Sequence, residues 1–260
     1  MADLSVFADQ VIVITGASSG IGAEMARQLA DQRAKLVLGA RRVDLLEEVA
    51  AVCRTRGAEA EVVQTDVTDE SQCKRLIDTA VKRFGRIDAL FANAGQGQPR
   101  RLDKMSDLAQ IKQEMDLNYY GVVYCVYHAL PYLKQSKGRI VGTSSLIGFL
   151  RVPFLTGYVS AKHAMTGFLD TLRIELAGSG VSVTIAFPGA VLTDDVKAMT
   201  GQQIRNAELM TVGRAASIIV RAAAGRKRQV IMTTQGKFAR WFEMIAPGLF
   251  DRLAASSMRE

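Results

Sequence analysis

Tyr158 and Lys162 stand four residues apart in "GYVSAKHAMTGF". On a helix that spacing puts both on one face, one turn apart. A phenol with a pKa of about 10 is an idle acid at neutral pH. An ammonium fixed beside it favours the phenolate and lowers that pKa. The pair therefore predicts a tuned proton donor; a solvated Tyr/Lys pair on a helix surface is the plain alternative. Ser145 closes the apolar run "GRIVGTSS", thirteen residues before Tyr158. Its hydroxyl and the phenol could converge over one cleft. Asn118, in "DLNYYG", falls inside a helical pattern where asparagine is a poor interior residue. There it could equally bond a nearby carbonyl.

A second group could hold phosphates. "TGASSGIG" places Gly16, Ser18, Ser19, Gly20, Ile21 and Gly22 between a strand pattern and a helix pattern. Glycines there permit a tight turn and close approach of backbone to a ligand. The helix start offers unpaired N–H groups and a partial positive charge. In that context the triplet predicts a dinucleotide pyrophosphate site. An NAD site commonly has an acid at the end of the second strand. Here that strand ends Gly39-Ala40-Arg41-Arg42. Two guanidiniums suit a 2′-phosphate, so NADP is the expected cofactor, with Arg41 ahead of Arg42 as its reader.

These groups need a scaffold. Apolar runs at 10–16, 34–40, 60–66, 87–95, 138–145, 181–189 and 228–234 read as seven strands. Amphipathic helices at about 21–32, 43–56 and 70–84, a long one at about 106–134, and the one bearing Tyr158 separate them. The pattern predicts an α/β fold: one doubly wound, parallel, seven-stranded sheet of Rossmann type with helices on both faces. Ligands in such sheets bind at the carboxyl ends of the strands. "TGASSGIG", "GARR", "TDVTD", "NAGQGQ", "SSLIGF" and "PGAVLT" all fall there.

Composition sets the outer limits. The chain has 260 residues, 48% of them hydrophobic and 23% charged, which fits one domain over 1–260 with a sizeable core. The three cysteines have no metal-ligand spacing and the two histidines are far apart, so no metal is expected. "MADLSVFADQ" has neither signal nor transit character, and no apolar run reaches the roughly 18 residues of a membrane span. A cytoplasmic protein with reduced thiols is the expectation. The net charge of +7 is read as a basic surface plus a local phosphate site, with no nucleic-acid partner.

Together these motifs resemble the short-chain dehydrogenase/reductase family over about 11–232. "TGASSGIG" resembles its T-G-x-x-x-G-x-G, and "ANAG" (Ala92, Asn93, Ala94, Gly95) its N-N-A-G with the first Asn replaced. "TDVTD" supplies Asp66 and Val67, and "PGAVLT" supplies Pro188, Gly189, Val191 and Thr193. Asn118, Ser145, Tyr158 and Lys162 resemble its catalytic tetrad. The stretch 142–176 is further similar to the branch of 11β-hydroxysteroid dehydrogenase-like and dehydrogenase/reductase member 7-like reductases.

The resemblance implies that Tyr158 donates a proton to a carbonyl oxygen as hydride arrives from a nicotinamide. Lys162 would lower the Tyr158 pKa and bind the ribose, Ser145 would hold the substrate oxygen, and Asn118 would position a relay water. Asp66, with Val67 alongside, would meet the adenine. Asn93 would hold the sheet and ribose, and Val191 and Thr193 the carboxamide. It also implies a homotetramer or dimer, in keeping with the apolar run "YYGVVYCVYHAL".

The apolar loop 146–155 suits a small apolar carbonyl or alcohol substrate. A lid is expected over about 193–210, with Met199 and Met210 as adaptable contacts. The tail 236–256 interleaves Phe238, Trp241, Ile245 and Leu249 with Lys237, Arg240 and Arg252, and Pro247 divides it. It is read as lid or subunit packing ahead of peripheral membrane contact. The leading reading is an NADP-dependent oxidoreductase; the alternative is a non-enzymatic NADP-binding regulator on the same fold.

Overall fold

A computed structural model describes residues 3–193 and 209–256. The strands are β1 (Val11–Thr15), β2 (Lys35–Ala40), β3 (Glu59–Gln64), β4 (Ala89–Ala92), β5 (Arg139–Thr143), β6 (Ser182–Phe187) and β7 (Gln229–Ile231). They form one sheet in the order β3-β2-β1-β4-β5-β6-β7, every pair parallel. The chain winds outward one way through β3, then restarts beside β1 and winds the other way. Its switch point is the β1/β4 seam, where a crevice opens at the strands' carboxyl ends.

β1 shows why both faces are covered. Ile12 and Ile14 enter one core with α1 (Gly20–Ala30) and α2 (Val43–Thr55). Val11 and Val13 enter the other, with α3 (Glu70–Phe84), α5 (Gly121–Ser136) and α6 (Thr156–Glu175). Alternate side chains of a strand point to opposite faces, so a strand buried on both reads as an unbroken apolar run. Local signals set the helix ends. Asp69 caps α3 by accepting from Ser71 N at 2.8 Å and Gln72 N at 3.3 Å, a contact worth about 1 kcal/mol.

Three sequence expectations differ. The last four strands are shorter than their apolar runs, because "NAG", "SS", "PG" and "TT" leave the sheet and build the crevice floor. The single helix expected over 106–134 is α4 (Ala109–Met115), a π-helical turn at Asp116–Tyr120, and α5. Asn118 is the reason: its Nδ2 donates to the Glu114 carbonyl at 2.9 Å, and a side chain inserted into the helical ladder widens the turn. A helix absent from the sequence reading, α7 (Val212–Ala224), covers α1. Its signals were present: Thr211 as N-cap, and buried Ala215, Ala216, Ile219, Val220 and Ala223 at helical spacing. The tail forms α8 (Thr234–Ile245) and α9 (Pro247–Ser256), with Pro247 opening the second. Most of the expected lid, Met199 included, lies outside the described residues.

Candidate active site

A cavity of about 970 Å³ lies over the β1/β4 seam. At one end is the glycine loop. Gly16 takes φ +65°, a conformation L side chains rarely adopt. A Cβ on Gly22 would stand 2.2 Å from the Gly16 carbonyl oxygen. Ser19, the N-cap of α1, makes no side-chain capping bond, so the first-turn N–H groups of α1 face the cavity uncapped. Arg42 donates to Ser19 Oγ at 2.5 Å and to Ser18 Oγ at 3.4 Å, which ties α2 to the loop. Arg41 also lines the cavity, and among the described residues its guanidinium bonds no protein group. The two arginines thus divide: Arg42 fixes the loop, and Arg41 stands at the cavity without a bond to a described protein group.

The seam itself is stitched by polar groups. Thr15 Oγ1 accepts from Asn93 N at 3.0 Å and Ala94 N at 3.1 Å, and Asn93 Nδ2 donates to Thr15 O at 3.3 Å. Ala92, where the motif has Asn, is buried among apolar side chains, so no polar group is orphaned there. Asp66 lines the cavity with Val67; its Oδ1 accepts from Thr68 N at 3.0 Å and Thr68 Oγ1 at 2.9 Å. Opposite, Pro188, Gly189, Val191 and Thr193 form the far wall, and a Cβ on Gly20 would come within 3.3 Å of Thr193 Cγ2. A short parallel bridge from Val191 to Met210 anchors this wall; of the expected lid, Thr193, Leu209 and Met210 are described.

At the other end lie Ser145, Tyr158 and Lys162. Ser145 follows β5, and its Oγ accepts from Ile147 N at 3.4 Å. Lys162 is 2% exposed; its Nζ donates to Thr143 O at 3.0 Å and stands 5.7 Å from the centre of the Tyr158 ring. Burial pushes Lys162 down to about 8. Burial, and then the nearby Glu114 carboxylate, push Tyr158 up to about 12. This reverses the expectation that Lys162 lowers the phenol's pKa. The dry surroundings of the ring and the Glu114 charge dominate, while the Lys162 ammonium is held by the Thr143 carbonyl.

Asn118 also differs from expectation. It does not line the cavity and is fully buried. Its Oδ1 accepts from Gln96 N at 3.2 Å, and its Nδ2 donates to Gln96 O and Glu114 O, both at 2.9 Å. Both amide hydrogens are used on backbone, so toward a relay water its side chain has only the second lone pair of Oδ1 to offer. It remains adjacent to the chemistry: a Cβ on Gly95 would lie 2.6 Å from Asn118 Oδ1 and 3.0 Å from Lys162 Nζ.

Between the two ends the wall is apolar. Leu146, Ile147, Leu150, Val152 and Leu155 line it, whereas Phe149 turns away onto Phe187 with ring centres 5.0 Å apart. The start of α8 packs on Leu146, and Arg151 pairs with Glu243 at 2.6 Å and Asp251 at 3.4 Å. The tail therefore abuts the mouth of the cavity. Among the described residues, no group of three or more His, Cys, Asp or Glu is placed to hold a metal.

A family model described as short chain dehydrogenase matches residues 10–204. A dehydrogenase/reductase SDR family protein 7-like of Dictyostelium discoideum is 34% identical, over 98% of this chain and 85% of that protein. An 11-beta-hydroxysteroid dehydrogenase of Pinus massoniana is 42% identical over 71% of this chain, a match spanning 52% of that relative. Among solved structures, an alcohol dehydrogenase from the archaeon Thermococcus sibiricus complexed with 5-hydroxy-NADP superposes with a TM-score of 0.76. It shares 31% identity and covers 85% of this chain and 93% of that one. A levodione reductase gives 0.79 at 25% identity, over 86% and 96%.

Proposed function

The chain belongs to the short-chain dehydrogenase/reductase family and is an oxidoreductase, and from that premise we propose an NADP(H)-dependent enzyme acting on a carbonyl or secondary alcohol of an apolar small molecule. One observation carries the reading: a single cavity joins an uncapped helix N-terminus, with arginines beside it, to Ser145, Tyr158 and Lys162. The donor set fits a nicotinamide dinucleotide phosphate. The α1 N-terminus suits a pyrophosphate, Arg41 a 2′-phosphate, and Lys162 Nζ a ribose hydroxyl. When bound, the cofactor supplies or accepts the hydride.

The protein's part is binding, orientation and proton transfer. Ser145 Oγ donates to the substrate oxygen and fixes its position. Tyr158, with a pKa near 12, carries its proton throughout the neutral range. Its Oη is thus a charged-up acid for reduction: the proton passes to the substrate oxygen as negative charge develops there. In oxidation the same oxygen must first lose its proton, so that direction gains rate as pH rises. Leu146, Ile147, Leu150 and Val152 exclude water and favour an apolar substrate. NADPH and NADH oxidation compared across a panel of ketones and aldehydes tests the reading. Absence of turnover with every substrate and either cofactor would refute it.

Cofactor choice follows from the division between the arginines. Arg41→Ala is expected to weaken NADPH binding by about ten- to a hundredfold, the value of one charge-assisted hydrogen bond, and to leave NADH nearly untouched. Arg42→Ala, by releasing Ser18 and Ser19, is expected to weaken both cofactors. Fluorescence titration reads the four constants. Equal factors for both cofactors in Arg41→Ala would defeat the assignment.

Tyr127 on α5 and Ile174 on α6 are 69% and 76% exposed, which supports a homo-oligomer through these helices. Light scattering at micromolar concentration is expected to give a dimer or tetramer; a monomer refutes it. No described helix is long and apolar enough to cross a membrane.

A further inference from the structure

Residues 96–98 pass directly over the Tyr158 ring. A Cβ on Gly97 would lie 2.3 Å from Tyr158 Cγ and 2.4 Å from Cδ1, so no side chain fits there. The peptide groups either side of Gly97 are held like a strap pinned at both ends. Gln96 N and O both bond to Asn118, at 3.2 and 2.9 Å. Gln98 N donates to Glu114 Oε1 at 3.0 Å, and Gln98 O accepts from Gln110 Nε2 at 2.9 Å. Gln110 Nε2 also reaches Glu114 Oε1 at 3.4 Å.

Glu114 is 6% exposed, and among the described residues no cation pairs with it. Burying an unpaired carboxylate is costly unless other groups compensate. Two supports are visible. One is the strap N–H with the Gln110 amide. The other is the first turn of α6, whose N-cap Leu155 makes no side-chain bond. A Cβ on Gly157 would stand 2.2 Å from Glu114 Oε2, so the carboxylate lies against the turn that carries Tyr158, where a helix favours negative charge.

We propose that Glu114 is a positioning residue for Tyr158, its buried carboxylate holding the 96–98 strap over the phenol ring and seating the first turn of α6. The role rests on reading Tyr158 as the proton donor. It has two separable parts. As an acceptor, Glu114 keeps the strap closed, and with it the cavity wall formed by Gln96, Gly97 and Pro99. As a charge, it favours the protonated phenol. The charged groups that face the ring are Glu114 from α4 and Lys162 from its own helix.

Three variants separate the parts: Glu114→Gln keeps an acceptor and removes the charge, Glu114→Ala removes both, and Gly97→Ala leaves Glu114 in place but forces the strap and the Tyr158 ring apart. Amide hydrogen exchange over 95–101 is expected to quicken about tenfold in Glu114→Ala, through loss of one hydrogen bond, and to stay near wild type in Glu114→Gln. In steady-state assays Glu114→Gln is expected to move the alkaline rise of the oxidative rate to lower pH with the KM of the carbonyl substrate unchanged. Glu114→Ala and Gly97→Ala are expected to raise that KM about tenfold or more. NADPH affinity without substrate is expected to hold in all three. Wild-type exchange in Glu114→Ala overturns the strap; an unshifted pH profile in folded Glu114→Gln overturns the charge effect. The exchange measurement needs no turnover, so a wild type that reduces nothing would sink the oxidoreductase reading while the strap is still judged on its own.

Discussion

Tyr158→Phe lowers turnover by about 10²–10⁴-fold, the usual worth of a positioned general acid, while NADPH still binds. Tyr158 is the one cavity group proposed to move a proton to the substrate, and phenylalanine keeps the ring that Gly97 packs on. Stopped-flow turnover and cofactor titration in the same preparation read both halves of the result. The raised pKa of Tyr158 sets the direction of the pH dependence. Reduction needs the protonated phenol and is insensitive to its titration near neutrality; oxidation needs the phenolate and climbs with pH. A folded Tyr158→Phe protein that turns over at the wild-type rate, or a flat oxidative profile with chemistry rate-limiting, contradicts the assignment.

The second large effect runs in opposite directions on activity and stability. Lys162→Met removes the ammonium proposed to hold the ribose and to face the phenol, so both turnover and cofactor affinity fall. The same change stabilises the fold. Burial takes Lys162 from 10.5 to about 8, which is worth on the order of 3 kcal/mol at about 1.4 kcal/mol per pH unit. Leaving Thr143 O without its donor gives back about 1 kcal/mol. A net gain of about 2 kcal/mol at pH 7 is expected in urea unfolding. Between about pH 8 and 10.5 the unfolded wild type binds more protons than the folded one. Wild-type stability therefore rises through that window and the advantage of methionine shrinks. A Lys162→Met protein less stable than wild type at pH 7, or a difference that does not change with pH, would contradict the burial argument.

The doubly wound sheet was legible in the sequence because strands buried on both faces are written as nearly unbroken apolar runs, as in "VIVI" of β1 and "LVLGA" of β2. Strand ends were overestimated where polar or small residues, such as Asn93 and Gly189, continue past the last sheet bond into the crevice. Helix α7 is harder to read because its buried row is mostly alanine, which marks an apolar face weakly. Of the candidate site, the residues with unusual chemistry stood out and share one cavity: the glycine loop, Ser145, Tyr158 and Lys162. Their electrostatic balance did not, because spacing shows that Tyr158 and Lys162 are neighbours but not how dry their surroundings are. Glu114 was invisible for a related reason. A glutamate in a helix pattern reads as a solvated face, and only the packing of α4 against α6 buries it. Arg41 and Arg42 were seen as a pair, but adjacent residues point in different directions, and their division needed the position of Ser19.

The π turn between α4 and α5 has a genetic side. A regular helix advances about 100° per residue, so one surplus residue rotates everything after it by roughly that angle. The surplus lets two surfaces be served at once. Val122, Cys125, Val126, Ala129 and Leu133 face the sheet, while Glu114 and Asn118 face the strap over Tyr158. With one residue fewer between 116 and 120, the helix could keep its sheet-facing row or its strap-holding pair, but not both. Part of this site is therefore encoded in the length of a segment as well as in the identity of Asn118, whose side chain occupies the widened turn. A substitution can change which side chain fills the turn, whereas loss of a single codon removes the surplus residue itself, so the register of this segment would be recorded in insertions and deletions.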